Sequence, residues 1–475
     1  MKALFILSVA FGLSLSAGEP INIGTRRELF VHDALIESVS GEARLELHHP
    51  EAREIALEHD AAWEGSGSGY HSVFRDGDLY RMYYKAWHLD VKDGKVNTGT
   101  HPLFCCYAES DDGIAWRKPE LGLVEFQGSK ANNIVLAPAT VGEVTSDPGH
   151  PAVFKDENPA CPPESRYKAI IRASKPHGLL LFQSPDGLHW SLAHPAPVIT
   201  EGAFDSQNLA FYDPNIDAYR AYWRIFTGGK TDGENWKPSG VRAIRTAVSK
   251  DLVHWDPWKD LSYVDSPEEE LYTNGVSPYS RAPHILMGFP TRYLDRGWSD
   301  SMKALPEKSH RESRAAASPR YGTAITEGLF MASRDGVTFK RWNEAFLRPG
   351  IERDGSWNYG QQYLAWHPVE TRGTLEGAPN ELSFYATESY WTGKSSLLRR
   401  YALRLDGFVS VGAPMKGGEL VTKSVIFSGD HLSSTFPVPS REGCGSSCRM
   451  RKGRRFRGFP SMSARRSLAI RPGES

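Results

Sequence analysis

The sequence predicts an all-β protein built as a five-bladed β-propeller, with a short incomplete β segment and a disordered tail at its C-terminus. Three observations lead to this prediction: a short phrase recurs at a roughly constant interval, tyrosine-rich runs typical of strands precede its copies, and no long stretch has helical periodicity. With 44 Gly, 31 Pro, 13 Trp, 19 Tyr and 21 Phe, the composition favours turns and packed strands over helices. A β-sandwich is the alternative fold, but it does not require so regular a long period.

The recurring phrase is Ser-x-Asp-Gly-x-x-Trp or a close variant of it. Asp-Gly supplies the positive φ angles of a tight hairpin turn, and the aromatic residue four positions after the Asp packs as an apolar anchor. The third copy has Leu252 in place of the Gly, which predicts a turn of another type. The copies lie 65 to 84 residues apart and begin at Ser110, Ser184, Ser249, Ser333 and, more weakly, Arg404.

Both ends of the chain differ from its middle. Residues 1–18 predict an export signal, since Lys2 precedes an apolar run that ends in small residues, and the run is too short to span a membrane. Export to the periplasm or the medium follows. Residues 19–415 are assigned to the propeller, 416–440 to a partial β segment and 441–475 to a basic disordered tail with ten Lys or Arg against two acids.

The charge of the body excludes a nucleic-acid partner. The whole chain has a formal net charge of -1, so the part before the basic tail carries about -9. The five cysteines form neither a disulfide framework nor a metal-ligand spacing, and no cofactor motif is present. The tail is interpreted as a polyanion-binding arm or as the product of a truncated or shifted reading frame.

Five segments are predicted to be the first strands of blades, and they begin with polar side chains near the mouth of the central channel. Carboxylates lie just upstream of them, which radial symmetry would bring together. The first strands begin near residues 69, 150, 207, 274 and 361, the polar residues are Tyr70, His71, His150, Gln207, Asn208, Asn274 and Gln361, and the carboxylates include Glu64, Asp147, Asp205 and Glu269.

With its repeated phrase, its strand pair over residues 73–84 and its five blades, the chain resembles the propeller glycoside hydrolases of families 32 and 43. The similarity covers residues 50–415 and is greatest to exported bacterial glycosidases. It implies hydrolysis of a glycosidic bond of an oligo- or polysaccharide by carboxylates at the channel mouth. The chain departs from the families at Tyr70, which stands where family 43 enzymes have an aspartate, and it lacks the motifs of family 32.

Glycoside hydrolysis requires two carboxyl groups, about 5–5.5 Å apart in retaining enzymes and about 6.5–9.5 Å apart in inverting ones, of which one acts as nucleophile or base and the other is protonated. We assign Asp205 to the first role, Glu269 to that of general acid, and Glu64 to orienting the substrate or raising the pKa of a neighbour. The structural alternatives are an Asx turn at Asp205 and a solvated acidic run over residues 268–270.

Basic residues complete the predicted pocket. Arg281, His284 and Arg292 are expected to hold hydroxyl, carboxylate or sulfate groups of the carbohydrate, and the alternative for Arg281 is a bridge between blades. Residues 296–320 predict a long loop on one face. Two other functions stay open: a non-catalytic propeller that binds glycan or protein, and a glycoside phosphorylase with Arg281 and Arg292 at its phosphate. The sequence leaves the sugar, the linkage, the stereochemical outcome and the oligomeric state open.

Overall fold

The computed structural model describes most of the chain between residue 19 and residue 428. The predicted export signal, residues 1–18, lies outside the described residues, as does most of the tail for which disorder is predicted. The described parts are residues 19–231, 233, 236–414 and 416–428, and the backbone of the strands Cys444–Met450 and Met462–Ile470.

Residues 47–410 form one compact unit of five antiparallel sheets, which confirms the five-bladed β-propeller. In each sheet, strands that follow one another in the chain lie side by side. From the first strand outward they are, in blade 1, Gly69–Asp76, Leu79–Ala86, Phe104–Ser110 and Ile134–Leu136; in blade 2, Val144–Lys155, Tyr167–Lys175, Gly178–Ser184 and Ser191–Leu192, with Thr140–Val141 on the other edge; and in blade 3, Leu209–Asp213, Ala218–Lys230, Lys237–Ser249 and Lys259–Asp260.

The last two blades deviate from simple order. In blade 4 an upstream strand pairs in parallel with the outermost strand of the sheet, and in blade 5 the strand Glu51–Glu58 from the start of the unit is the fourth strand. This strand brings the start of the unit into the last blade and so closes the ring. The strands are, in blade 4, Ser277–Tyr279, Ala282–Gly288, Met331–Ser333, Thr338–Arg341 and Ser262–Val264, and in blade 5, Val369–Thr371, Glu381–Glu388, Leu397–Arg404 and Glu51–Glu58.

The first strands meet around the central axis. Ser72 of blade 1 forms a parallel bridge with Trp366, just before blade 5, and its hydroxyl accepts from the backbone N–H of Val153 in blade 2 (3.1 Å). Trp366 is fully buried and donates its ring N–H to the carbonyl of Val276 before blade 4 (2.9 Å). Apolar clusters fill the spaces between neighbouring sheets, as the packing of sheet on sheet requires.

Every copy of the recurring phrase begins at the last residue of a third strand. In blade 2 the Ser184 hydroxyl accepts from the N–H of Gly187 (2.8 Å), and the Asp186 carboxylate accepts from the N–H groups of Leu188 (2.8 Å) and His189 (2.9 Å). The turn therefore depends on the Ser and Asp side chains as much as on the glycine. The copies at Ser110 and Ser333 have the same bonds.

The prediction of a different turn at Leu252 is wrong. The Ser249 hydroxyl accepts from the N–H of Leu252 (2.9 Å) and the Asp251 carboxylate from that of Val253 (2.9 Å), as in the other copies. Leu252 has a φ of 66° and is buried in the same apolar cluster as Ile170 of blade 2. The side-chain hydrogen bonds and this burial stabilise a left-handed conformation that leucine alone disfavours.

The repeated turns also connect neighbouring blades. The hydroxyl of Tyr83 in blade 1 donates to the carbonyl of Gly187 in blade 2 (3.0 Å), and Tyr222 of blade 3 donates to Gly336 of blade 4 (2.8 Å). Tyr385 of blade 5 donates in the same way to the turn of blade 1. The predicted packing of each turn against a neighbour is confirmed for these blades.

The segment 296–320 is not the predicted loop. It contains the helices α1 (Asp300–Ala304), α2 (Lys308–Ala317) and the start of α3 (Pro319–Thr323), and it lies between the strands Thr291–Asp295 and Ala324–Gly328, which pair with each other. Helix α2 contacts the hairpin formed by Asp90–Lys92 and Lys95–Asn97. Its arginines Arg311 and Arg314 are buried.

The second compact unit combines residues 19–46 with residues from 411 onward. Ile21–Gly24 pairs in parallel with Val425–Phe427, and Ile36–Gly41 pairs in antiparallel with Gly418–Thr422. The residues before the propeller therefore share a sheet with the partial β segment predicted after it. The remaining elements of the chain are the ladder of Arg44–Leu47 with Val409–Gly412, the 3-10 turns Asp33–Leu35 and Pro163–Ser165, and the strands Met462–Ile470 and Cys444–Met450 on the sheet of this unit.

Candidate functional site at the mouth of the propeller

The mouth is the end of the propeller at which the first strand of each blade begins. Because the strands are antiparallel, second strands also end there, whereas the repeated turns lie at the opposite end. Side chains from two sources therefore lie at the mouth: the loops before the first strands and the last residues of the second strands.

Stacked tyrosines form a floor at the mouth. The rings of Tyr70 and Tyr363 lie 5.6 Å apart at 13°, and those of Tyr272 and Tyr363 lie 5.6 Å apart at 20°. Tyr359 and Tyr390 extend this floor, and all five residues are buried. Burial holds the pKa of Tyr70 and Tyr363 well above the ordinary value, so both hydroxyls stay protonated.

Lys85, at the end of the second strand of blade 1, lies against this floor. Its Nζ donates to the hydroxyl of Tyr390 (3.0 Å) and lies 4.6 Å from the ring centre of Tyr70 and 5.3 Å from that of Trp87. Burial lowers the pKa of Lys85 to about 7, although the charge of Asp147 opposes this shift. The amine can thus gain or lose a proton near neutral pH.

Asp147 and His150 lie on the first strand of blade 2. Arg172 donates to Asp147 (3.0 Å), and the His150 Nδ1 lies 3.6 Å from the same carboxylate. Burial alone would raise the pKa of Asp147, but His150 and Arg172 outweigh it and lower the pKa to about 2. Burial also lowers the pKa of His150 to about 4, so at neutral pH a neutral imidazole faces Tyr70, with ring centres 5.4 Å apart.

Asp205 lies in the loop before blade 3 and forms an ion pair with Arg224. The Asp205 side chain is 54% exposed, whereas that of Arg224 is 4% exposed. The guanidinium lies 4.6 Å from the ring centre of Tyr272. Burial raises the pKa of Tyr272, but the charge of Arg224, the hydrogen bonds from Tyr359 and Arg224 and the charge of Arg242 together outweigh it and lower the pKa to about 8. Asp205 is thus an accessible carboxylate at the edge of the tyrosine floor.

Glu64 lies in the loop before blade 1 and is enclosed by hydrogen-bond donors. Its side chain is fully buried and accepts from the Tyr84 hydroxyl (2.5 Å), the Lys118 ammonium (2.6 Å) and the backbone N–H of Ala61 (3.0 Å). These donors occupy both carboxylate oxygens. A cavity of about 510 Å³ borders this loop, and its lining includes His59, Asp60, His88 and Lys394.

Glu269 belongs to an ion network. Its Oε1 accepts from Arg292 (2.9 Å), and its Oε2 lies 2.8 Å from Arg341, whose side chain is fully buried. Arg292 also donates to Glu327 (2.8 Å). Both carboxylate oxygens of Glu269, the predicted general acid, are therefore paired with arginines. Arg292, the predicted anion-binding residue, is paired with Glu269 and Glu327.

Three other predicted residues organise the axis and its loops. The Gln207 amide donates to the carbonyls of Tyr70 (3.0 Å) and Pro151 (3.1 Å), which links blades 1, 2 and 3. The imidazole of His71 meets that of His59 in blade 5 (Nε2 to Nε2, 3.1 Å). Asn208 accepts from the backbone N–H of Arg224 (3.1 Å) and donates within its own loop.

Asn274 and Gln361 hold the loops before blades 4 and 5. Asn274 accepts from the N–H of Val276 (3.3 Å), and Gln361 accepts from the N–H of Asn358 (2.9 Å) and donates to the carbonyl of Gly355 (2.8 Å). Their side chains are buried and form hydrogen bonds with the backbone of the loops in which the floor tyrosines lie.

The structure places Arg281 and His284 at the end of the propeller opposite the mouth. Arg281 lies in the turn between the first two strands of blade 4 and donates to Asp406 (2.9 Å) and Glu370 (3.1 Å) of blade 5. The alternative of a bridge between blades accounts for these bonds. His284 follows the same turn on the second strand.

The helical insertion covers one side of the mouth. The ring of His310 on α2 meets the carbonyl of Trp391 after the second strand of blade 5 (2.9 Å), and Arg314 donates to the same carbonyl (3.0 Å). From α3, Tyr321 packs edge-on against Trp391 (4.8 Å between ring centres). The insertion is thus attached to the loops that carry the floor.

Sequence reasoning missed the basic residues at the ends of the second strands. Lys85, Arg172 and Arg224 each stand five positions after a tyrosine that pairs with the serine of the repeated turn. The signal was present in the sequence as a repeated Tyr-basic-x-x-x-basic run. These runs begin at Tyr80, Tyr167 and Tyr219.

No protein-family model and no curated protein sequence matches the chain. Solved structures that are similar to it include an N-acetylgalactosamine deacetylase from F. plautii in complex with blood group B trisaccharide (13% identity, TM-score 0.45, covering 77% of this chain and 95% of that chain). A glycosyl hydrolase from Bacteroides ovatus has 12% identity and a TM-score of 0.43 over 75% of this chain and 94% of its own. A fructofuranosidase from Schwanniomyces occidentalis has 11% identity and a TM-score of 0.36 over 85% and 65%.

Glycoside hydrolases are thus among the structures to which the chain is similar, and the chain itself is a five-bladed β-propeller. In the part of the chain that the structure describes, no cluster of three or more His, Cys, Asp or Glu side chains could hold a metal ion. None of the described helices is long and apolar enough to cross a membrane.

Proposed function

We propose that the protein is a glycoside hydrolase that cleaves an oligo- or polysaccharide at the mouth of the propeller, with Asp205 as nucleophile or base. One observation carries the proposal: a half-exposed carboxylate, oriented by a buried arginine, stands at the edge of a floor of stacked tyrosines. An accessible carboxylate at the mouth suits attack at the anomeric carbon or stabilisation of its positive charge.

The proton for the leaving oxygen comes, in this proposal, from Lys85 rather than from Glu269. Both oxygens of Glu269 are engaged by arginines, whereas the pKa of Lys85 is about 7, which suits proton transfer near neutral pH. Asp147, an anion with a pKa of about 2 on the neighbouring blade, adds negative charge at the mouth where the sugar becomes oxocarbenium-like.

The test is turnover of a panel of plant and algal polysaccharides and aryl glycosides by the purified protein. We expect Asp205→Asn to lower turnover by about a hundredfold or more. Asp260→Asn is the matched control, because Asp260 is also 55% exposed and also paired with an arginine, Arg245, but on the outermost strand of blade 3. Unchanged turnover in Asp205→Asn would refute the assignment.

A second function, glycan binding without cleavage, is favoured by one observation. Two of the three carboxylates assigned to catalysis, Glu64 and Glu269, are engaged in ion pairs. Binding of a panel member by the parent protein, with no reducing ends released, would select this function. The phosphorylase alternative relied on Arg281 and Arg292, and both are paired with carboxylates.

A further inference from the structure

Three arginines converge on one part of the tyrosine floor. Arg224 lies 4.6 Å from the ring centre of Tyr272, and Arg242, on the third strand of blade 3, lies 5.5 Å from Tyr272 and 5.0 Å from Tyr293. Arg320 approaches from helix α3 of the insertion, close enough to Tyr293 to affect its ionisation. Blade 3 and the insertion thus supply the three arginines of the cluster.

The cluster holds hydrogen-bond donors that nothing else in the described chain satisfies. Nε and Nη1 of Arg224 and Nε of Arg242 are buried and make no hydrogen bond of good geometry to a described residue. The same is true of the hydroxyl of Tyr363, whereas the hydroxyl of Tyr293 interacts with Arg320. Arg224 as a whole is only 3% exposed. Buried donors are nearly always paired, so donors that converge without partners indicate a ligand that accepts from them.

Two of the three arginines of the cluster are paired with carboxylates. Arg224 is paired with Asp205, and Arg242 donates to Glu270 (2.9 Å). Arg320 lies over the ring of Tyr321 (4.9 Å), and no ion pair joins it to a carboxylate of the described residues. Arg320 is therefore the member of the cluster that has no carboxylate in contact among the described residues, although Asp295 also acts on Tyr293, and a ligand anion would supply a direct partner for it.

We propose that Arg224, Arg242 and Arg320 form a subsite for an oxyanion, namely a carboxylate or sulfate group on a sugar unit of the substrate. Planar guanidinium groups match the geometry of such anions and hold them by charge-assisted hydrogen bonds. The hydroxyl of Tyr363 supplies a further donor. The part of this inference that places the anion on a sugar rests on the proposed function. It narrows the substrate of that function to an acidic glycan. Free inorganic phosphate has the same acceptor chemistry and is the competing source of the anion.

Binding to the full chain, measured by titration calorimetry, tests the subsite without relying on turnover. The probes are a galacturonate oligomer, a sulfated galactose oligomer, a neutral galactose oligomer of equal length and inorganic phosphate. We expect one of the two acidic oligomers to bind at least about tenfold more tightly than the neutral one, the effect of one good charged hydrogen bond. Equal affinity for acidic and neutral oligomers, or no binding of any probe, would overturn the proposal.

Two variants link this preference to the cluster. Arg242→Gln and Arg320→Gln are each expected to weaken binding of the acidic oligomer about tenfold and to leave binding of the neutral one unchanged. Arg245→Gln is the matched control, because Arg245 lies on the same strand, is also paired with carboxylates and also lies over an aromatic ring, that of Trp258. Near-ultraviolet circular dichroism verifies that each variant is folded. Equal losses in control and cluster variants would count against the subsite.

The outcomes separate this inference from the proposed function. Acidic oligomers that bind but are not cleaved would support the subsite and refute the hydrolase. Equal kcat/KM on acidic and neutral glycans would refute the subsite and support the hydrolase. If phosphate alone binds more tightly than either acidic oligomer and competes with it, the anion is free phosphate and the sugar-acid assignment is refuted.

Discussion

Asp205 and Arg224 form an ion pair across the boundary of the protein, with the carboxylate half in solvent and the guanidinium buried. Water can solvate Asp205 without its partner, but it cannot solvate Arg224 in the same way. Asp205→Ala should therefore lower the free energy of unfolding by about 1–3 kcal/mol, less than the roughly 3–5 kcal/mol of a fully buried pair. Denaturant-induced unfolding measures this loss. Asp260→Ala should cost less than about 0.5 kcal/mol, since the more exposed Arg245 keeps Glu201 (2.9 Å) as a partner.

The stability contribution of Lys85 should depend on pH. Burial holds its pKa at about 7, below the ordinary 10.5. The cost of burying the ammonium is fully present below pH 7 and disappears as the pH rises toward 10.5, because the unfolded chain then binds the proton that the folded chain has released. The thermal midpoint of Lys85→Met, relative to that of the parent, should be highest below pH 7 and should fall by a few degrees by about pH 10.

Lys155→Met serves as the control for this pH series, since Lys155 lies at the surface beside Asp76. Its midpoint relative to the parent should stay constant between about pH 7 and about pH 9. A constant difference for Lys85→Met as well would contradict the burial of a titrating amine at the mouth.

Glu64 should depend strongly on Lys118. The carboxylate has no exposed surface, and Lys118 supplies the only cation within 4.0 Å of it among the described residues. Lys118→Met should lower the free energy of unfolding by about 3–5 kcal/mol, as the loss of one partner from a buried pair does. The double variant Lys118→Met with Glu64→Gln should recover much of this loss, because the amide carries no charge that needs compensation. A loss of less than about 1 kcal/mol in the single variant would mean that Glu64 is hydrated.

Glu269 distinguishes the two candidates for the proton donor. If it is a structural member of its arginine network, Glu269→Gln should lower the free energy of unfolding by about 1–3 kcal/mol and keep turnover within about twofold of the parent. Steady-state kinetics on the folded variant measure this. Loss of turnover at unchanged stability would instead restore Glu269 as the general acid and remove that role from Lys85.

The glycine of the second repeated turn should tolerate no side chain. Gly187 has a φ of 82°, and a Cβ there would contact the hydroxyl of Tyr83 and Nη1 of Arg81 (2.9 Å) in blade 1. Gly187→Ala should cost about 2–4 kcal/mol, which combines backbone strain with steric overlap. Gly122→Ala separates the two effects, because Gly122 has a φ of 70° with nothing within 4 Å of its added Cβ, so about 1 kcal/mol is expected. Equal losses at both sites would show that the contact between blades is unimportant.

The repeated turn shows how much of the fold can be predicted from local sequence. Its serine and aspartate fix the same hydrogen bonds in the four copies that begin with serine, and the spacing of these copies and of the weaker one at Arg404 made the number and order of blades predictable from the chain. The same reasoning failed at Leu252, because a glycine-based rule ignores the side-chain bonds and the burial that stabilise a leucine with positive φ.

The site was harder to predict from the sequence than the fold. Asp205 was singled out and does lie at the mouth, whereas Glu269 and Glu64 were assigned from their position upstream of first strands, a rule that cannot tell an accessible carboxylate from one enclosed by cations. Lys85 was overlooked, since a lysine after a tyrosine-rich strand has no sequence mark of burial.

The sequence by itself determined the repeated unit, and with it the all-β class, the five blades and the loops that gather at one end, because turns and alternating strands depend on neighbours in the chain. Only the tertiary structure decided which charges face one another. Whether Arg281 meets Asp406 of the next blade, 125 positions away, depends on how neighbouring blades pack against each other, and turns and strand alternation do not specify that packing.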